Sequence, residues 1–119
     1  MRVLVVDDSP LVRNMVKKAC MGSKFEVIGE AKNGEEAVAL YRELNPDIVT
    51  LDVTMPVKDG LQAAEEILML NPEAKILLLS AMGDENLLKK AMNMGIHVSL
   101  QKPFTAQRLL EVLEDLARG

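Results

Sequence analysis

Five short apolar runs alternate along the chain with five stretches in which apolar residues recur every three or four positions. The runs are Val3–Val6, Phe25–Gly29, Ile48–Leu51, Lys75–Leu79 and Ile96–Leu100. Unbroken apolar segments of this length read as strands buried on both faces, the pattern of parallel sheets. Glu26 and Glu30 weaken the second run, and the polar content of the fifth weakens that one. The periodic stretches read as amphipathic helices. The first opens at Ser9-Pro10, a cap hydroxyl followed by proline, turns Leu11, Val12, Met15, Val16, Ala19 and Cys20 inward, and ends at Gly22. The second runs over Gly34–Leu44 with Ala37, Val38, Leu40 and Tyr41 inward, and the third over Leu61–Leu70 with Leu61, Ala64, Ile67 and Leu68. Asn45-Pro46 and Asn71-Pro72 stop them. The fourth runs from Gly83-Asp84 to Met94 and closes at Gly95. The fifth, capped by Thr105, runs to Ala117 with Leu109, Val112, Leu113 and Leu116 inward.

Strand–helix alternation repeated five times predicts an α/β fold, a parallel sheet with helices on both faces. Ligands of such sheets bind at the carboxyl ends of the strands. The polar residues at those ends are therefore the candidate chemistry: Asp7 and Asp8 after the first strand, Asp52 after the third, Ser80 after the fourth and Lys102 after the fifth. The carboxylates are expected to face water, because an apolar wall does not take up unpaired charge.

Composition narrows the picture. The 119 residues suit a single domain spanning 1–119. A net charge of −4 argues against general attraction to nucleic acid or to membranes. The lone Cys20 excludes an internal disulfide and reads as a core residue. The Val3–Val6 run is too short for a signal peptide, and no apolar run approaches the roughly 20 residues that span a bilayer, so a cytoplasmic location is expected. Met69, Met92 and Met94 are expected to fill gaps in the core, and Met82 to lie beside the site.

Three carboxylates held within roughly 5 Å repel by about 3 kcal/mol per pair at an effective dielectric near 20. Protons or a cation must offset that. An all-oxygen donor set without His or Cys suits Mg²⁺ rather than zinc. A metal, a lysine and a hydroxyl together suit a phosphoryl group. Neither Gly-rich phosphate loop, G-x-G-x-x-G nor G-x-x-x-x-G-K-[ST], occurs, so a bound nucleotide is not expected to carry it. A carboxylate can accept the group itself.

These residues and their neighbours bring a family into view. Asp7-Asp8, Asp52 followed by Met55-Pro56 and Gly60, Ser80-Ala81, and Lys102-Pro103-Phe104 resemble the motifs of response-regulator receiver domains of the single-domain chemotaxis type, over essentially the whole chain. The resemblance implies a flavodoxin-like (βα)5 three-layer sandwich whose five-stranded parallel sheet has the order 2-1-3-4-5. It implies Asp52 as phosphoacceptor, Asp8 as direct Mg²⁺ ligand, Asp7 as a ligand through water and the backbone carbonyl of Thr54 as a further ligand. It implies Ser80 as the switch hydroxyl, Lys102 as the lysine that pairs with the phosphoryl group, and a cis Lys102–Pro103 bond.

In family terms the protein is a phosphoacceptor that catalyses its own phosphorylation and dephosphorylation, not an enzyme. The implied partners are a sensor histidine kinase as donor, a downstream protein such as the flagellar motor switch, read through the fourth helix, fifth strand and fifth helix, and a phosphatase. Direct nucleic-acid and membrane partners are not implied. The chain departs from the family at Ser99, where an aromatic is usual; His97 and Phe104 are the candidate substitutes. Arg13, Lys17 and Lys18 read as a solvated face, with kinase docking the alternative. Other readings are a phosphorelay intermediate or phosphate sink, a receiver fragment of a longer effector protein, and a flavin-binding flavodoxin-like protein. The last lacks a Ser/Thr/Gly-rich loop after the first strand and has few aromatics.

Overall fold

A computed structural model describes all 119 residues. Its elements are β1 (Arg2–Val6), α1 (Pro10–Cys20), β2 (Glu26–Ala31), α2 (Gly34–Leu44), β3 (Ile48–Asp52), α3 (Gly60–Leu70), β4 (Lys75–Ser80), α4 (Glu85–Asn93), β5 (Ser99–Gln101) and α5 (Ala106–Arg118). The strands form one parallel sheet in the order β2-β1-β3-β4-β5. The expected architecture and strand order are thus observed, and the Lys102–Pro103 bond is cis.

Strand residues alternate between two cores, as side chains on a pleated sheet must. Leu4, Val6, Val49, Leu51, Ile76 and Leu78 pack toward α2, α3 and α4. Val3, Val5, Ile48, Leu77 and Leu79 pack toward α1 and α5. A leucine removed from water this completely contributes about 1.5–3 kcal/mol, so the sheet's middle three strands anchor the fold. The caps are as expected at Ser9 and Thr105, whose hydroxyls accept from the Val12 and Arg108 amides. The two Asn-Pro stops differ in geometry. Asn45 is left-handed (φ +47°), whereas Asn71 is extended and its side chain donates to the Tyr41 hydroxyl at 3.1 Å.

Several expectations are corrected. Leu11 is 71% exposed and Met15 is also exposed, because the sheet takes only the narrower stripe Val12, Val16, Ala19 and Cys20. Met69 and Met92 lie in solvent rather than in the core. The fifth strand begins at Ser99, not Ile96: the Met94, Gly95 and Ile96 amides donate to carbonyls at the end of α4, which takes them out of the sheet. The second strand is displaced to Glu26–Ala31, its far end paired with Val5 and Val6. The fourth helix begins at Glu85 and not at Gly83-Asp84; the Asp84 carboxylate accepts from the Ala81 amide at 2.7 Å.

Two residues sit against local rules. Val57 is β-branched, exposed and left-handed (φ +70°). A side chain in that region costs about 1–2 kcal/mol, whereas Asn tolerates it. Val57→Asn is expected to raise unfolding stability by about 1 kcal/mol in a denaturant titration, since no burial is lost; no gain would count against strain at this position. Thr50 lies between Val5 and Leu77 on the α1/α5 side, fully buried, with its hydroxyl unpartnered. A buried donor without a partner costs about 1–3 kcal/mol. Thr50→Val is expected to stabilise by about 1 kcal/mol, read the same way; a loss would show that the hydroxyl is bonded.

Candidate functional site

Asp7 follows β1 and is held at its amide, its carbonyl and one carboxylate oxygen. Its amide donates to the Ala31 carbonyl at 3.0 Å, and its Oδ1 accepts from the Ser9 amide at 2.9 Å. Its carbonyl accepts from Arg13 Nη1 at 2.7 Å. Arg13 in turn bonds Glu30 (Nε–Oε1, 3.1 Å), whose other oxygen takes Lys17 at 2.9 Å. The Lys17 bond above all, with Arg13, holds the Glu30 carboxyl below its usual range. Arg13 is therefore a structural tie between α1, the end of β1 and the end of β2, not part of a solvated face. The sequence signal for it is an acid at the end of a strand opposite a basic residue one helical turn past the cap.

Asp7, Asp8 and Asp52 each offer a carboxylate oxygen within 4.8 Å of the others. Only Asp8 faces water; Asp7 is fully buried and Asp52 nearly so, which corrects the expectation for the pair. Lys102 offsets the buried charge. Its Nζ stands 2.8 Å from Asp7 Oδ2 and 3.4 Å from Asp52 Oδ1. The closer contact lies outside hydrogen-bonding geometry, so Asp7 Oδ2 has an ionic neighbour but no directed donor. The Lys102 amide donates to the Ser80 carbonyl at 2.7 Å, which fixes the ends of β4 and β5 to each other. Ser80 is buried and directly follows Leu79, the residue in register with Asp52. The Thr54 amide donates to Asp52 Oδ1 at 3.3 Å.

The charges are unequally satisfied. Burial, then the Asp7 charge, pushes the Asp52 carboxyl up to about 7 against the pull of Lys102. Burial works to lower the Lys102 ammonium, but the contacts with Asp7 and Asp52 outweigh it and hold the group above its usual range. One lysine thus does not neutralise the three acids. The remaining unpaired oxygens form an all-carboxylate donor set that fits a hard divalent cation.

Asp7, Asp8, Asp52 and Lys102 thus stand together, with the Thr54 amide on Asp52 and the Ser80 carbonyl on the Lys102 amide, whereas the candidate substitutes for an aromatic at Ser99 lie apart. His97 is exposed and lies before β5; Phe104 is half-buried against the α1/α5 core. Met82 is 85% exposed, two residues after Ser80. No helix is long and apolar enough to cross a membrane.

The family model for the response regulator receiver domain matches residues 3–114. The chemotaxis protein CheY of Listeria monocytogenes is 46% identical over 118 residues, 99% of each chain. CheY of Thermotoga maritima is 44% identical over 117 residues, 98% of each chain. Among solved structures, the CheX–CheY–BeF3–Mg²⁺ complex from Borrelia burgdorferi has a TM-score of 0.90 at 33% identity, covering 98% of this chain and 88% of that one. The REC domain of AraT from Geobacillus stearothermophilus has a TM-score of 0.91 at 26% identity, covering 98% and 92%.

Proposed function

Because the chain belongs to the response regulator receiver family, we propose that it takes a phosphoryl group from a histidine kinase onto Asp52 and changes its affinity for a protein partner as a result. The observation that carries this is the ammonium of Lys102 set between Asp7 and Asp52, with Asp8 open to solvent beside them. A role in chemotaxis follows the relatives, which are named chemotaxis proteins, and the kinase donor and the protein partner follow from membership of the receiver family. Residues 1–119 act as one receiver unit in the cytoplasm.

Asp7, Asp8, Asp52 and the Thr54 carbonyl would hold Mg²⁺, which supplies charge neutralisation for the phosphoryl oxygens. An Asp52 carboxylate oxygen attacks phosphorus, the new Asp52 O–P bond forms, and the P–N bond to the donor imidazole breaks as the imidazole leaves. Lys102 shifts from its carboxylate contacts to the new phosphoryl oxygens. Ser80 donates its hydroxyl to another and draws the loop after β4 with it. Through the Lys102–Ser80 backbone bond that movement reaches β5 and the face of α4, β5 and α5, where the partner reads it. Hydrolysis of the Asp52 phosphate, catalysed within the same site, resets the switch, and a phosphatase speeds it. The test is covalent: acetyl phosphate with Mg²⁺ must add one phosphoryl group to the intact protein, mapped to Asp52. No adduct under saturating donor would overturn the mechanism.

A further inference from the structure

The loop between β3 and α3 carries Thr54 and is pinned at both ends by glycines that have no room for a side chain. At one end the Gly60 amide donates to the Val53 carbonyl at 2.9 Å, and a Cβ on Gly60 would stand 2.0 Å from the Asp52 carbonyl oxygen. At the other end the contact comes from a different element. Gly34, the buried first residue of α2, donates its amide to the Lys58 carbonyl at 2.9 Å. A Cβ there would stand 2.3 Å from that oxygen and 2.9 Å from its carbon, both backbone atoms that cannot swing aside. Gly34 does not have a positive φ, so the need is for space and not for backbone freedom. Between the pins stands the left-handed Val57, and Lys58 is tied on to α3 by its ion pair with Glu66. With Lys58 held to α2 and to α3, and Val53 held to Gly60, the loop has few residues in which to take up a displacement at Lys58 before Thr54 and Asp52.

We propose that Gly34 is a positioning residue for the metal site. Its bare backbone seats the β3–α3 loop so that the Asp52 carboxylate and the Thr54 carbonyl face the ion together, and the start of α2 moves with the site. This rests on the Mg²⁺ reading above. It gives α2, outside the α4–β5–α5 face, a mechanical link to the phosphoacceptor.

The test pairs two substitutions and one spectrum. Gly34→Ala is expected to weaken Mg²⁺ binding by about tenfold in a calorimetric titration, the usual effect of disturbing a group that orients metal ligands. Gly29→Ala is the control for lost stability. Its Cβ would meet only the side-chain tips of Leu44 (2.8 Å) and Leu4 (3.3 Å), on β2 away from the loop, so its Mg²⁺ affinity should match the parent's. In the parent, the Gly34 amide resonance should move with those of Asp52–Thr54 as Mg²⁺ is added, a response that a merely structural glycine would not give. A folded Gly34→Ala protein with parental affinity overturns the inference. So does a stationary Gly34 amide while the loop amides shift, which decides the matter even if Gly34→Ala does not fold. Absence of Mg²⁺ binding in the parent would instead sink the metal reading, and this inference with it.

Discussion

Asp52→Asn and Asp52→Ala proteins will keep their unmodified mass in acetyl phosphate and Mg²⁺, while the parent gains one phosphoryl group. The effect is all-or-none because no neighbour can stand in. Asp7 is fully buried, with Oδ1 committed to Ser9 and Oδ2 against Lys102, and has no open face for in-line attack. Asp8 is open but lacks the lysine that Asp52 shares. Removing the metal should stop the reaction as completely as removing Asp52. Without a cation nothing offsets the phosphoryl charge beside the buried carboxylates, and burial pushes the Asp52 carboxyl up to about 7, so that about half of it also holds a proton at neutral pH. The reaction at limiting Mg²⁺ should therefore speed up as pH rises through 7 and lose that dependence when Mg²⁺ saturates. An adduct on Asp52→Ala, or one formed in chelator, would place the acceptor elsewhere.

The second large effect is on stability, and its direction is unusual for an acid. A carboxyl whose pKa rises from 3.8 to about 7 on folding binds more proton in the folded than in the unfolded chain between those values. Stability must then fall as pH rises from about 4 to about 7. A shift of this size corresponds to about 4 kcal/mol, or roughly 15 °C in midpoint for a domain of this length. Thermal unfolding in chelator should show the decline. Saturating Mg²⁺ should remove it by binding the folded state only, and Asp52→Asn should remove it without metal. A chelated parent with a flat profile over that range, superimposable on Asp52→Asn, would refute the buried-charge account. Lys102 does not confuse the window: its raised pKa contributes stability that is lost only as pH climbs past the ordinary lysine range.

The alternation of five apolar runs with five periodic stretches was enough to read the sheet, its helices and the edge on which the polar residues meet, because burial on both faces leaves a strand little choice of composition. What alternation along a strand could also have told, but only with the strand's end known, is which of two adjacent acids turns inward; Asp7 goes in and Asp8 out. The first helix shows the limit of periodicity. Leu11 and Met15 keep the spacing of Val12 and Val16, yet the sheet accepts a stripe only as wide as its own surface. Arg13 and Gly34 were hidden for another reason. Each acts through a backbone carbonyl of a distant segment, Asp7 and Lys58, and such contacts leave no mark on hydropathy. Ile96–Val98 has the apolar content of a strand, but Ile96 serves the core from a loop, with its amide bonded to the end of α4.

The division of the interior into two cores has a consequence for how such a chain can change over time. Alternate residues of each strand serve opposite layers, so the side chains that seat α1 and α5 are not those that seat α2, α3 and α4. Substitutions in the two layers should add independently, since they share a sheet but no contact. One layer can therefore be rewritten to suit a new partner while the other goes on carrying its own packing unchanged, and a lineage can explore new surfaces without rebuilding the molecule.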